Sequence, residues 1–133
     1  MTTTALTTTV WPCLSYTDAR AAIRFLVDAF GFTENAVYGD GERVDHAELR
    51  WPHGAGVMLG SAGRGGPIET PADAGCIYLV APDATAVDAL HERAVAAGAT
   101  VVVALHDTDY GSHDFTCRDP QGVYWSFGTY PGA

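Results

Sequence analysis

The chain has 133 residues, 47% of them hydrophobic, with seven arginines, no lysine and sixteen carboxylates, for a net charge of −9. That length suits one domain able to bury its own core. No run approaches the roughly 18 apolar residues of a membrane span, and the acidic balance leaves no basic patch for nucleic acid.

Met1 to Thr9 reads as a flexible tail, threonine-rich and without the basic or apolar segments of a signal peptide. A strand is expected over Val10–Tyr16. Thr17-Asp18 then caps a helix in which Ala19, Ala22, Ile23, Leu26 and Phe30 recur at helical spacing, and Gly31 ends it. Strands follow at 33–38, 43–51 and 56–60. Residues 61–74 are rich in glycine, proline and small polar side chains and read as a linker.

The order then restarts. A strand at 75–81 precedes a helix opened by Pro82-Asp83, with Ala84, Val87, Leu90, Ala94 and Ala97 as its stripe and Gly98 at its end. Strands are expected at 100–105, 112–118 and 123–129. Landmarks recur at a near-constant offset: Asp18 and Asp83 stand 65 apart, Gly56 and Gly122 66, Gly31 and Gly98 67, and His46 and His113 67. This is an internal duplication, βαβββ–βαβββ, with halves 10–60 and 75–130 inside one domain, 10–130. One helix can cover only one face of a four-stranded sheet. The other face needs the other half, a partner chain or a ligand.

The last strand shows the two faces directly. After the turn Asp119-Pro120-Gln121-Gly122, Val123, Trp125 and Phe127 alternate with Tyr124, Ser126 and Gly128. The first set is expected to pack under a helix and the second to line a cavity. Cys13, Cys76 and Cys117 are odd in number and widely spaced, which fits reduced thiols in a cytoplasmic protein better than a disulfide framework.

With DPQGVYWSFGTY at its end and AIRFLVDAFGF in its first helix, this arrangement resembles the vicinal oxygen chelate superfamily from about Val10 to Tyr130. That group comprises glyoxalases, extradiol dioxygenases and bleomycin-resistance proteins, and the closing stretch looks most like its small bacterial glyoxalase/bleomycin-resistance-like members. The resemblance implies an α+β fold of two tandem βαβββ modules, whose curved mixed sheets surround a cavity, and a homodimer. It also implies metal ligands (His, Gln or Glu) from the first and last strand of each half. The matching positions here are Trp11, Cys76, Ser126 and, to within one residue, Gly60. Those side chains do not make a divalent-ion site, so no cofactor is expected. The alternative is a displaced divalent metal at His46, Glu48 and His113.

Two functions compete. The first is a small-molecule-binding protein without the family metal, which sequesters a cationic or planar aromatic compound. Trp11, Cys13, Tyr78, Tyr110 and Tyr124 would line its cavity, and His46, Glu48, Cys76, His113 and Ser126 would supply polar contacts. The second is a lyase or dioxygenase, using either the displaced metal set or, without metal, His106, Asp107 and Asp109 as acid–base groups.

Overall fold

In the computed structural model, which describes residues 8–63, 65 and 71–133, each half is built from the same local signals. Helix α1 (Ala19–Phe30) starts at Asp18, whose carboxylate accepts the Ala21 N–H at 3.0 Å. Helix α2 (Ala84–Ala97) starts at Asp83 in the same way, accepting from Ala86 at 2.8 Å. Gly31 and Gly98 close the two helices in the left-handed conformation, at φ 80° and 106°, where a Cβ would be strained.

Strands β1 (Cys13–Tyr16), β2 (Thr33–Asp40), β3 (Arg43–Arg50) and β4 (Gly56–Ser61) form one sheet in the order β1-β4-β3-β2. Strands β5 (Cys76–Val80), β6 (Thr100–Asp107), β7 (His113–Arg118) and β8 (Tyr124–Gly128) form a second, in the order β5-β8-β7-β6. In each, the first strand runs parallel to the last of its module and the other pairings are antiparallel. The architecture is the expected α+β pair of βαβββ modules, with both mixed sheets left open. β1 begins later than the apolar run suggests, because Pro12 has no N–H for the ladder, although its carbonyl still accepts from Met58 at 2.9 Å. β6 runs on to Asp107 because His106 and Asp107 still find partners in Asp114 and His113. The expected N-terminal tail and linker lie partly outside the described residues.

The helix-side faces meet in one core. Val57 and Leu59 of β4, and Trp125 and Phe127 of β8, are buried there. Phe30 of α1 reaches across to Trp125 and Phe127, with ring centroids 5.4 and 4.7 Å away, and Trp51 contacts Phe127 at 5.8 Å. In α2 only Val87, Leu90 and Ala94 of the expected stripe are buried, while Ala84 and Ala97 stay exposed.

A buried carboxylate fastens the halves together. Asp119 accepts the Tyr16 hydroxyl at 2.6 Å, the Trp125 indole N–H at 3.0 Å and the backbone N–H groups of Gln121 and Val123. Four donors satisfy a group that would otherwise be costly to bury. Burial, with Asp119 alongside, holds the Tyr16 hydroxyl far above its ordinary pKa. The Gln121 amide bonds the Asp18 backbone in both directions, at 2.9 and 2.7 Å. The turn of the second module is thus fixed to the helix start of the first. With the helix sides turned inward, both helix-free faces point outward.

Candidate functional site

Register fixes what each open face displays. In the first sheet Glu48 stands opposite Met58 and Arg50 opposite Gly56; in the second Thr116 stands opposite Ser126 and Arg118 opposite Tyr124. Buried Ala47 and Leu49 match buried Phe115 and Cys117, so the equivalence runs at an offset of 68 through these strands. His46, Glu48 and Arg50 therefore correspond to Asp114, Thr116 and Arg118. The first strands keep the offset of 65, since Cys13 pairs with Met58 as Tyr78 pairs with Ser126. Between them, α2 is two residues longer than α1.

This corrects two expectations. The equivalent of Ser126 is Met58, two residues before Gly60, because the offset drifts along the module. His113 corresponds to Asp45 rather than His46, and a one-residue slip sends a strand side chain to the other face. His113 accordingly faces α2: its Nε2 meets Asp88 and its Nδ1 meets Asp107, both at 2.7 Å. These two carboxylates, Asp88 first, raise the His113 pKa. It does not converge with His46 and Glu48.

The open face of the first sheet is charged. His46 Nε2 lies 2.9 Å from Glu48, which also accepts the Asn35 amide at 3.0 Å. The His46 hydrogen bond, then that of Asn35, holds Glu48 below the usual carboxylate range. The Tyr38 ring stacks near His46, with centroids 6.3 Å apart. Cys13 is exposed on this face beside Met58. Trp11 lies against Gly56, its ring under the Arg50 guanidinium at 5.0 Å.

The second open face is largely neutral at its centre. The Cys76 thiol donates to Ser126 at 3.4 Å, and the Ser126 and Thr116 hydroxyls are 2.6 Å apart. The Arg118 guanidinium covers the Tyr124 ring at 4.8 Å. Tyr78 is 41% exposed and holds the chain end, donating to the Tyr130 carbonyl at 3.0 Å and accepting its N–H at 3.1 Å. Partial burial is the first cause raising its pKa. Gly128 is buried on this face because the Tyr78 hydroxyl and Asp114, itself bonded to Ser112, occupy the space of a side chain. Tyr110 lies at the rim, edge-on to Tyr130 at 5.5 Å. A cleft of about 300 Å³ borders this face along the module seam, lined by Val10, Pro12, Trp51, His53, Ile77 and Val80 among others.

Thr116 and Arg118 are open-face residues that sequence reasoning missed, although both alternate with the buried Phe115 and Cys117. Of the acid–base candidates, Asp107 is engaged by His113 and the His106 Nδ1 by the Ala104 carbonyl at 2.9 Å. Cys117 is buried beneath the sheet, and burial pushes its thiol up to about 12.

The positions that the resemblance would make metal ligands carry Trp11, Met58, Cys76 and Ser126. One thiol and one hydroxyl, already bonded to each other, offer neither the imidazole nor the carboxylate oxygen of a divalent site. Among the described residues no three His, Cys, Asp or Glu side chains gather in a way that could hold a metal ion. The donor set does not fit the group.

Two tandem βαβββ modules, each with a helix side turned into a shared core, define the fold class. A family model described as Glyoxalase/Bleomycin resistance protein/Dioxygenase superfamily matches residues 8–127, and the chain belongs to that superfamily. It is 40% identical over 125 residues to the uncharacterized protein Rv0887c of Mycobacterium tuberculosis, covering 88% of this chain and 71% of the relative. Among solved structures it resembles TioX from Micromonospora sp. ML1, with a TM-score of 0.73, 28% identity and coverage of 91% and 94% of the two chains. A glyoxylase/bleomycin resistance protein/dioxygenase domain from Frankia sp. EAN1pec shares the fold, at TM-score 0.73, 17% identity and coverage of 93% and 92%. No helix among the described residues is long and apolar enough to cross a membrane.

Proposed function

We propose that this chain binds a planar small molecule against its open sheet faces, without a metal ion and without transforming it. One observation carries the reading: the positions that would hold the family's ion are taken by Trp11, Met58 and a Cys76–Ser126 pair closed by its own hydrogen bond. What remains is a surface of rings, hydroxyls and thiols, suited to stacking and hydrogen bonding. Sequestration of an aromatic drug is the use this implies. A cationic guest is less favoured, because Arg50 and Arg118 already cover the Trp11 and Tyr124 rings. The accessible thiols of Cys13 and Cys76 suit a reducing, cytoplasmic setting.

A homodimer belongs to the same reading. Tyr38 is 61% exposed and Val103 43% exposed on open faces that one chain leaves uncovered, and a second chain bringing its own sheet would enclose a cavity.

Titration with planar aromatic compounds, followed by tryptophan fluorescence, tests the binder. Saturable quenching that Trp11→Ala weakens is expected, and absence of quenching across the panel would remove the reading. Elemental analysis of protein purified without chelator should find well under one equivalent of divalent metal.

The enzyme reading keeps one specific support. Glu48, steadied by Asn35, orients the His46 imidazole through Nε2, the arrangement of a general base with its positioning carboxylate. Turnover of hemithioacetals or catechols that His46→Gln abolishes would establish it over the binder.

A further inference from the structure

The two modules build the same feature from opposite parts. At the β3–β4 end of the first sheet, Arg50 lies over the ring of Trp11, and the strand position opposite Arg50 is Gly56. At the β7–β8 end of the second, Arg118 lies over Tyr124, the residue opposite it, while the position equivalent to Trp11 is the small Cys76. Ring and small residue have exchanged places between equivalent positions, yet each sheet still presents a guanidinium over an aromatic ring.

In a chain with sixteen acidic residues and seven arginines, neither Arg50 nor Arg118 has an ion-pair partner within 4 Å among the described residues. Arg50 donates to the Thr8 hydroxyl at 3.3 Å, and Arg118 donates through Nε to the Gly122 carbonyl at 3.3 Å. A guanidinium has five N–H donors in one plane, and the bonds among the described residues use one donor of each. The ring contact holds each guanidinium over the sheet face, and a guanidinium edge suits bidentate capture of a planar anion.

The second sheet adds direction. Ser126 accepts from the Cys76 thiol, and either hydroxyl of the Ser126–Thr116 pair can donate to the other; with Ser126 donating, the Thr116 proton is free to point outward. Thr116 and Arg118 stand two residues apart on the same face of β7, so that face offers two donors beside a ring. The first sheet is the weaker twin, since Glu48 is close enough to Arg50 to be influenced by its charge.

We infer that the open face of the second sheet is a site for a planar aromatic anion, a carboxylate or its like, held through Arg118 and Thr116 with its ring over the sheet. This rests on the binder reading and narrows its ligand class.

Three probes of one shape separate the two claims: 2-naphthoate, the neutral 2-naphthalenemethanol and the cationic 2-naphthylmethylammonium, titrated into the full chain by calorimetry. The wild type should bind the carboxylate about tenfold more tightly than the alcohol, and the ammonium most weakly. Arg118→Gln should erase that preference, the carboxylate then binding no more tightly than the alcohol, and Arg118→Lys should restore only part of it. Urea unfolding of both variants shows whether they are folded, and Arg118→Lys carries the test if Arg118→Gln is not. If the alcohol binds and the carboxylate binds no better, or Arg118→Gln keeps the preference, the anion site is wrong and the binder stands. If none of the three binds, both fall.

Discussion

The two halves share a chain path and differ in what each face carries. Toward the core, the first sheet offers Ala47, Leu49, Val57 and Leu59, where the second offers Phe115, Cys117, Trp125 and Phe127. The helices differ inversely: α1 buries seven residues including Phe25 and Phe30, and α2 buries three. Large rings of the second sheet therefore pack against the helix of the first module, which makes the halves interdependent. On the open faces the contrast is chemical, with a His46–Glu48 pair on one sheet and a Cys76–Ser126–Thr116 chain on the other. Volume constrains the inner faces jointly, whereas each outer face can change without disturbing the core.

The largest expected effect comes from cutting the polar tie between halves. Asp119→Ala strands the buried Tyr16 hydroxyl and Trp125 N–H and removes the carboxylate that organises the turn, so chemical denaturation should show a loss of about 3–5 kcal/mol. A value near that of a surface substitution would mean the modules do not depend on this link. Next comes the inequality of the helices. Phe30→Ala should cost about 3–4 kcal/mol and Leu90→Ala about 2 kcal/mol, the second being the smaller side chain at a shallower site. Equal losses would contradict the unequal burial of α1 and α2.

The smallest effect concerns His113, which ties β7 to Asp88 of α2 where the first half has Asp45 at the equivalent position. Its pKa is raised in the folded state. Its contribution is therefore fully present below the ordinary histidine value of about 6.5 and is lost as pH rises through the raised native value. Comparing urea midpoints of the wild type and His113→Gln from pH 5 to 9, the wild type should lead at low pH and the gap should close toward high pH. A gap that is constant with pH would assign the residue a packing role alone.

Much of this was legible in residue order. Asp18 and Asp83 as caps, Gly31 and Gly98 as stops, and the alternation of Val123, Trp125 and Phe127 placed both helices and the buried side of the last strand. Less was legible at the site. His46 and His113 stand 67 apart, close to the repeat, yet the strands align at 68, and that single residue separates an open-face histidine from one beneath the sheet. The same drift misplaced the counterpart of Ser126 at Gly60 instead of Met58. Periodicity within a strand reports which residues share a face; it does not report how one strand aligns with another.

Residue order alone is enough for the repeated βαβββ pattern, the caps and the split of each strand into apolar and mixed sides, because those follow from local backbone preference and side-chain spacing. Long-range packing is what brings Arg50 over Trp11 and Arg118 over Tyr124, Tyr16 to Asp119 over 103 residues, and His113 to Asp88. Each depends on strand register and on the packing of one module against the other, and such long-range geometry leaves no mark in the spacing of neighbouring residues.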